Sequence, residues 1–237
     1  MAYNGGPAFN SLTKGYTARG IPWEVGRNVA TVYNLGCMNF TARQRAILAG
    51  TILGDAFVQQ TGSKNARLRL EHGEKQKEYL LWKGQQFPKL FNGSPERIER
   101  VHPITKKTYT YWRWQSNATP ELGKWRAQFY PDGKKRIPTN LASYVSSPLA
   151  LAVWYMDDGY YSPIQKHSFL YLGRVTRSEA EYAAEAIRGN FDLTSRIYDK
   201  KNKGFALFFP VAETKKLHAL VASEVLPSLK YKLSLTP

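Results

Sequence analysis

The pattern of hydrophobic and polar positions shows the same order of elements twice along the chain. One apolar helix ends near Asp55, and a second runs from Pro148 to Gly159. Ser147 is a favourable N-cap for the second helix, proline suits the first helical position, and glycine commonly follows the last turn. After each helix the pattern changes from the helical period to strict alternation, which predicts strands with one apolar face.

This pattern predicts an α+β fold made of two successive αββαββα units. In the first unit, Thr41 and Gln44 form a capping box for the apolar helix. The elements after it are strands 57–61 and 67–71, a helix over 75–87, strands 97–101 and 107–115, and a helix over 120–130. The second unit continues with strands 160–162 and 168–175, a helix capped at Ser178 and ending at Arg188, strands 196–198 and 205–209, and a helix over 212–225. We therefore divide the chain into an N-terminal extension (1–38), a first half (39–133), a linker (134–147) and a second half (148–237).

The first apolar helix has a stripe of small residues. Ala46, Gly50 and Gly54 are four residues apart and so share one face. Glycine in a helix interior costs about 1 kcal/mol relative to alanine, so the stripe predicts a place where another backbone approaches closely. The matching places of the second helix hold Leu149, Val153 and Asp157, which are bulkier.

Two nine-residue blocks end with an acid at the same position. When block 48–56 is aligned with block 151–159, Asp55 falls opposite Asp158, at the eighth position of each. The two acids are separated by the length of a small domain. A carboxylate in the last turn of a helix is disfavoured by roughly 0.3–1 kcal/mol, so we expect bound cations to favour both.

The net positive charge of the chain favours nucleic acid as its partner. Lysine and arginine number 34 against 18 acids, which gives a net charge of +16. A chain this basic favours a polyanionic partner, either nucleic acid or an anionic membrane surface. The charge is spread along the chain rather than gathered on one amphipathic helix, and no apolar run reaches the roughly 18 residues of a membrane span. A single cysteine, Cys37, excludes internal disulfides and cysteine-based zinc sites.

The two blocks resemble the motifs of the LAGLIDADG homing endonucleases, in the single-chain type that carries two motifs. Leu48-Ala49-Gly50 spells the start of the family name. The run 134–141 followed by 151–159 is similar to the organellar intron-encoded branch, and the resemblance covers roughly 41–233. It implies two saddle-shaped antiparallel sheets over DNA, with the two motif helices packed at the centre.

The resemblance implies a metal site made by both halves. Asp55 and Asp158 match the metal-binding acid position, and the seventh positions, Gly54 and Asp157, complete the expected ligand set. Asp157 contributes a backbone carbonyl, and its side chain is either structural or catalytic. Mg²⁺ takes oxygen ligands and often only one or two protein carboxylates, so we expect Mg²⁺, with Mn²⁺ able to substitute. The alternative for both motif acids is a helix cap or a surface salt bridge.

Basic residues near the motifs are candidates for contact with the scissile phosphates. Lys135 and Lys232, one in each half, match the family's catalytic lysines by local context, and the alternative is a solvated basic face. Arg69 and Arg174 are placed on the strands after each motif, where they could position water or phosphate.

DNA recognition is expected from the polar faces of the strands. Arginine and glutamine offer bidentate contacts to guanine and adenine edges, whereas lysines at a hairpin tip are expected to contact phosphates. The alternative is a solvated sheet face. The predicted DNA-binding residues are Gln59, Thr61, Arg67, Arg69, Tyr109, Tyr111, Arg113, Gln115, Arg174, Arg196, Lys200 and Lys203.

The leading hypothesis is a monomeric, metal-dependent endonuclease that cuts both strands of a long double-stranded DNA target. By resemblance, it leaves short 3′ overhangs, promotes intron mobility and works in a mitochondrion or chloroplast. One alternative is an intron maturase, in which the same fold binds intron RNA to assist splicing. A second is a DNA-binding regulator that does not cleave. The presence of both motif acids favours the nuclease.

Overall fold

The computed structural model describes residues 39–234, and the predicted order of elements is confirmed in both halves. The first half contains α1 (Ala42–Leu53), β1 (Phe57–Gln60), β2 (Ala66–Gly73), α2 (Lys77–Gln85), β3 (Glu96–Val101), β4 (Thr108–Gln115) and α3 (Pro120–Phe129). A short helix, α4 (Leu141–Tyr144), follows. The second half contains α5 (Pro148–Asp158), β5 (Gly159–Ser162), β6 (His167–Gly173), α6 (Arg177–Phe191), β7 (Arg196–Asp199), β8 (Phe205–Phe209) and α7 (Val211–Val221). The fold is therefore α+β with two αββαββα units, as predicted.

Each half forms one four-stranded antiparallel sheet with the same topology. The strand order is β1-β2-β4-β3 in the first sheet and β5-β6-β8-β7 in the second. Strand β2 alternates between buried and partly exposed residues along its whole length. Its apolar side chains, such as Leu68 and Leu70, face the helices, and Arg67 and Arg69 lie on the opposite face. The buried side chains of both halves form one continuous core.

The two motif helices, α1 and α5, pack against each other along the predicted small-residue stripe. A Cβ atom on Gly50 would lie 2.5 Å from the carbonyl oxygen of Ala150 and 2.8 Å from Cβ of Val153. A Cβ on Gly54 would overlap the side chain of Asp157. The bulkier residues of α5 therefore fill the space that the glycines of α1 leave open. Because small residues of α1 face larger residues of α5, the two motif helices pack closely.

Several predicted boundaries are wrong for local reasons. The N-cap of α6 is Thr176, not Ser178, because the Thr176 hydroxyl accepts from the Glu179 amide at 3.2 Å and the Glu179 carboxylate accepts from the Thr176 amide at 2.7 Å. Strand β6 ends at Gly173, where the pairing with β8 shifts and φ is +72°. Arg174 therefore lies beyond the strand on which it was predicted. Helix α7 ends at Val221 rather than at residue 225.

Gly159 follows α5 as predicted, but in an extended conformation that leads straight into β5. Its φ of −76° does not require glycine. Glycine fits there because a Cβ would collide with the carbonyl and ring of Tyr155. The capping box of Thr41 and Gln44 on α1 is confirmed, with hydrogen bonds of 3.1 and 3.0 Å.

The segment between the two halves is packed rather than free. Leu141 and Val145 are fully buried, and the Asn190 amide of α6 donates to the carbonyls of Ala142 and Val145 at 2.8 and 2.9 Å. The predicted extension, 1–38, lies outside the described residues. The boundaries 39–133, 134–147 and 148–237 remain a prediction.

Candidate active site and nucleic-acid interface

The ends of the two motif helices meet at the centre of the molecule. Asp55 follows the C-terminus of α1, and Asp158 is the last residue of α5. The backbone amide of Asp55 donates to the Asp157 carboxylate at 3.2 Å, so the second motif holds the first directly. The carboxylates of Asp55 and Asp158 also interact electrostatically, so the two acids that the aligned blocks predicted lie near each other.

The two motif acids repel each other in the absence of a cation. Burial first, and then the nearby carboxylates of Asp55 and Asp157, raise the pKa of Asp158 to about 7, although Lys135 and Lys232 act to lower it. Burial is also the largest influence that raises the pKa of Asp55, and Asp157 adds to it. A bound divalent ion would reverse this penalty, because an adjacent positive charge favours the ionised carboxylate.

The predicted catalytic lysines occupy equivalent places in the two halves. Lys135 donates to the carbonyls of Leu53 and Gly54, at the end of α1. Lys232 donates to the carbonyls of Met156 and Asp157, at 2.6 and 2.9 Å, at the end of α5. A cation is favourable at a helix C-terminus, and burial lowers the pKa of both lysines while the motif acids oppose that shift. Each motif acid therefore has an ammonium group beside it.

The side chain of Asp157 belongs to a buried ion pair. Lys83 Nζ lies 2.7 and 2.8 Å from its two carboxylate oxygens, and both side chains are almost inaccessible to solvent. Of the structural and catalytic roles left open for the Asp157 side chain, this ion pair supports the structural one. Its carbonyl is still able to bind a metal, since a carbonyl oxygen that accepts from Lys232 has a second lone pair.

Lys83 and His72 are site residues that the sequence analysis missed. His72 Nε2 lies 3.2 Å from Lys83 Nζ, and His72 Nδ1 lies 3.7 Å from an oxygen of Asp55. Burial and the Lys83 charge lower the pKa of His72 to about 4, so the imidazole is neutral at neutral pH. Because an ammonium only donates, Nε2 accepts and the proton lies on Nδ1, towards Asp55. Lys83 lies four residues after Tyr79, whose side chain is buried. That spacing places both on the same face of the helix, and it was the available signal that Lys83 faces inwards.

The donor set fits a hard divalent cation. Asp55 and Asp158 provide carboxylate oxygens, and Gly54 and Asp157 provide backbone oxygens at the two helix ends. Ligand atoms of Asp55, His72 and Asp157 also lie within 4.8 Å of one another. The Asp157 carboxylate is already paired with Lys83, however, so the carboxylates open to a cation are those of the two motif acids.

The predicted residues of the first sheet share the face opposite the core. Gln59 pairs with Arg67 across β1 and β2, and Arg69 pairs with Gln115 across β2 and β4. The residues of this face that the sequence analysis predicted are Gln59, Arg67, Arg69, Tyr109, Tyr111, Arg113 and Gln115. Thr61 lies one residue beyond the end of β1.

A carboxylate organises the arginines of this face. Glu71 accepts from Arg69 at 3.0 Å, Arg100 at 2.6 Å and Arg113 at 2.8 Å. Burial raises the pKa of Glu71, but the hydrogen bonds from the three guanidinium groups outweigh that effect and hold the pKa at about 2. Arg100 and Glu71 were not among the predicted residues.

The predicted residues of the second sheet are more dispersed. Arg196 pairs with Phe208 on the face opposite the core. Lys200 and Lys203 lie at the tip between β7 and β8, and Lys200 Nζ sits 4.1 Å above the ring centre of Phe169. Arg174 lies past the irregularity at the end of β6, so it is not equivalent to Arg69.

None of the helices in residues 39–234 combines the length and the apolar composition needed to cross a membrane.

Comparisons with known proteins identify the family of the chain. A model of the LAGLIDADG DNA endonuclease family matches residues 45–217. Protein RecA of Mycobacterium shimoidei is 28% identical over 206 residues, which cover 81% of this chain and 46% of that protein. The chain thus spans about half the length of that curated relative. A probable intron-encoded endonuclease of Wickerhamomyces canadensis is 28% identical over 195 residues, covering 80% of this chain and 83% of that protein.

A solved structure shares the fold. The homing endonuclease I-WcaI bound to its DNA recognition sequence superposes with a TM-score of 0.77 at 24% identity, covering 84% of this chain and 89% of that chain. The family match includes both motif acids and most of the two sheets. The chain therefore belongs to the LAGLIDADG DNA endonuclease family, as the resemblance of its two motifs predicted.

Proposed function

We propose that the chain is a monomeric, site-specific endonuclease that hydrolyses one phosphodiester in each strand of a long double-stranded DNA target. The observation that carries this proposal is the pairing of Asp55 and Asp158 at the ends of two packed helices, each with a lysine beside it. The cut leaves short 3′ overhangs and promotes mobility of an intron that carries the gene. The relative named as a probable intron-encoded endonuclease supports the link to an intron, and the location in an organelle follows from the resemblance of the motifs to the organellar branch.

Asp55 and Asp158, with the carbonyls of Gly54 and Asp157, would hold a divalent metal, Mg²⁺ with Mn²⁺ able to substitute. A metal held there would supply positive charge against the charge that develops on the phosphate under attack. Lys135 and Lys232 neutralise the scissile phosphates and orient the attacking water, one in each half. Burial is the largest influence that lowers the pKa of both lysines, and the nearby motif acids oppose that shift.

The first sheet reads bases through its charged face. Arg69 and Arg113 are held by Glu71, so their guanidinium groups lose little freedom when they contact a base. Each bidentate contact of arginine with guanine, or of glutamine with adenine, discriminates by about 1–3 kcal/mol. Gln59 and Gln115 lie beside them on the same face, and Arg67 and Thr61 extend it. Lys200, Lys203, Arg174 and Arg196 contribute contacts from the second half.

A selection experiment tests this function. A pool of randomised duplex DNA is incubated with the protein and Mg²⁺, and the cleaved ends are sequenced. We expect one long asymmetric site, cut in both strands with a constant short 3′ overhang. A site that is bound but never cut would support the non-cleaving regulator. Binding of structured intron RNA without any cleavage of DNA would support the maturase.

A further inference from the structure

The second sheet carries aromatic rings on the face that is opposite the core. We define the aromatic face by Tyr160, His167, Phe169, Tyr171, Tyr198 and Phe208. Buried neighbours on the same strands, such as Leu170 and Leu207, point the other way, into the core. Tyr160, Tyr171 and Tyr198 are 48%, 38% and 44% exposed. Covering apolar surface of this kind with a partner is favourable, because the surface is removed from water.

The register shows what the aromatic face replaces. In the first sheet, Phe57 pairs with Arg69, which pairs with Gln115. In the second sheet, Tyr160 pairs with Phe169, which pairs with Phe208. The central row of each sheet thus has the same topology, but Phe169 and Phe208 stand where the first half has an arginine and a glutamine.

The next row of the two sheets shows the same replacement. Glu71 pairs with Arg113 in the first sheet, and Tyr171 pairs with Ala206 in the second. The two halves therefore present faces of different chemistry at equivalent positions. The charged face offers donors to guanine, and the aromatic face offers mainly carbon–hydrogen surface.

The rings of the aromatic face pack on one another. Phe169 lies 5.2 Å from Phe208, 5.7 Å from Tyr198 and 6.0 Å from Tyr171, measured between ring centres. The Lys200 ammonium covers the Phe169 ring at 4.1 Å. A ring that is covered in this way does not offer a free face on which an unpaired base stacks. Its neighbours offer edges and hydroxyl groups instead.

We propose that the aromatic face reads thymine 5-methyl groups in the major groove of the half-site bound by the second half. The inference rests on the proposed function and names a feature of its substrate. Apolar contact with the thymine methyl is the one base-edge interaction in the major groove that needs no hydrogen bond. Arg196 and Lys200 border the face and hold it against the phosphates of a duplex. The target accordingly has a half-site read mainly by charged side chains and a thymine-rich half-site read by aromatic ones.

The test removes only the methyl groups. In the cleaved site recovered by selection, thymine is replaced by uracil in one half-site at a time. Repeating the selection with Arg113→Ala assigns the half-sites, since that change relaxes base preference only where the first sheet binds. Equilibrium binding is then measured in buffer with a chelator, so that the duplex stays intact.

We expect uracil in the second half-site to weaken binding about fourfold for each contacted methyl group, as expected for burial of one carbon group. Uracil in the first half-site should weaken it less than twofold. In Tyr171→Ser and in Tyr198→Ser, the loss of affinity caused by uracil in the second half-site should become as small as the loss caused by uracil in the first half-site. Tyr109→Ser is the matched control, because it changes an equally exposed tyrosine on the first sheet, and it should preserve the effect.

Three outcomes would overturn the inference. If uracil has the same effect in both half-sites, or none, while the duplex is still cleaved, the aromatic face does not read methyl groups although the proposed function stands. If a single-stranded oligonucleotide displaces the duplex and Tyr171→Ser removes that competition, the face is a stacking platform for unpaired bases. If no duplex is bound or cleaved, the proposed function itself fails.

Discussion

Lys83 and Asp157 form a buried ion pair that joins helix α2 of the first half to the motif helix of the second half. The ammonium lies 2.7 and 2.8 Å from the two carboxylate oxygens. One of those oxygens also accepts the backbone amide of Asp55. Gly54 is the residue of the first motif that is equivalent to Asp157. Because glycine has no side chain, it leaves the space that the Asp157 carboxylate fills. The ion pair therefore helps to fix the backbone of Asp55, the motif acid of the first half, through a residue of the second half.

Breaking this ion pair should destabilise the protein strongly. Lys83→Met leaves the Asp157 carboxylate buried without the cation that balances its charge, which typically costs about 3–5 kcal/mol. We expect that loss in the free energy of unfolding, measured by denaturant titration. Lys75→Met, an exposed lysine beside the start of the same helix, is the control and should change stability by less than about 0.5 kcal/mol.

The double variant Lys83→Met with Asp157→Asn tests the pairing itself. Because both charges are then removed, it should be less destabilised than Lys83→Met alone. If Lys83→Met and Lys75→Met behaved alike, the pair would not contribute to stability.

Because the motif helices approach each other closely, a single methyl group added at their contact should destabilise the protein. Gly50→Ala places a Cβ 2.5 Å from a backbone carbonyl of α5, and backbone cannot move as a side-chain tip can. We expect a loss of about 1–3 kcal/mol or more, seen as a lower melting temperature. Gly62→Ala is the control, because nothing lies within 4 Å of its added Cβ. Equal melting temperatures for the two variants would mean that the helices separate more easily than the packing indicates.

Much of this architecture could be predicted because its signals are local. The motif helix of the first half begins at Thr41 through contacts three residues away, and the two acids are placed by the blocks around them. The partner of Asp157 could not be predicted in the same way, because Lys83 is distant in sequence and reaches it only when the halves pack. Arg174 was misplaced because the irregularity at Gly173 ends the strand.

The aromatic face was missed for a related reason. Residues Phe205–Phe209 are almost wholly apolar, so the pattern alone does not say which of them face the core. Only the pairing shows that the Phe208 side chain lies on one face of the sheet, and that the buried side chains of Leu207 and Phe209 lie on the other. Hydrophobicity predicts that a strand exists, whereas register decides which side chains it presents.

The raised pKa of Asp158 predicts a dependence of stability on pH. Its pKa is about 7 in the folded protein and near 3.8 when unfolded. Between about pH 4 and 7 the folded state therefore binds more protons at this site, so this site lowers stability as pH rises. Without metal, Asp158→Asn should match the wild type near pH 4 and be more stable, or at least as stable, at pH 7.5.

Thermal melts at the two pH values test this prediction. Added Mg²⁺ with target DNA should raise the melting temperature of the wild type and lose most of that effect in Asp158→Asn. Marked destabilisation of the metal-free variant at pH 7.5 would instead identify Asp158 as a structural hydrogen-bond partner.

Binding to DNA should be sensitive to salt, because a net charge of +16 is spread over both halves. The logarithm of affinity falls by about 0.9 for each neutralised phosphate per logarithmic unit of salt. Binding of a monomer to the selected duplex, measured over a salt series together with the mass of the complex, should give a steep slope. A flat response, or a dimer on the DNA, would contradict the interface described above.

We expect Asp55 and Asp158 both to be needed for cleavage and neither to be needed for recognition of the target. The proposed recognition contacts lie along the sheets, whereas the two acids lie only at the helix ends. Asp55→Asn and Asp158→Asn should each abolish linearisation of a supercoiled target plasmid in Mg²⁺. In a gel shift, both should bind the same site with an affinity equal to that of the wild type or somewhat tighter. If either variant linearised the plasmid at the wild-type rate, cleavage by the paired acids would be contradicted.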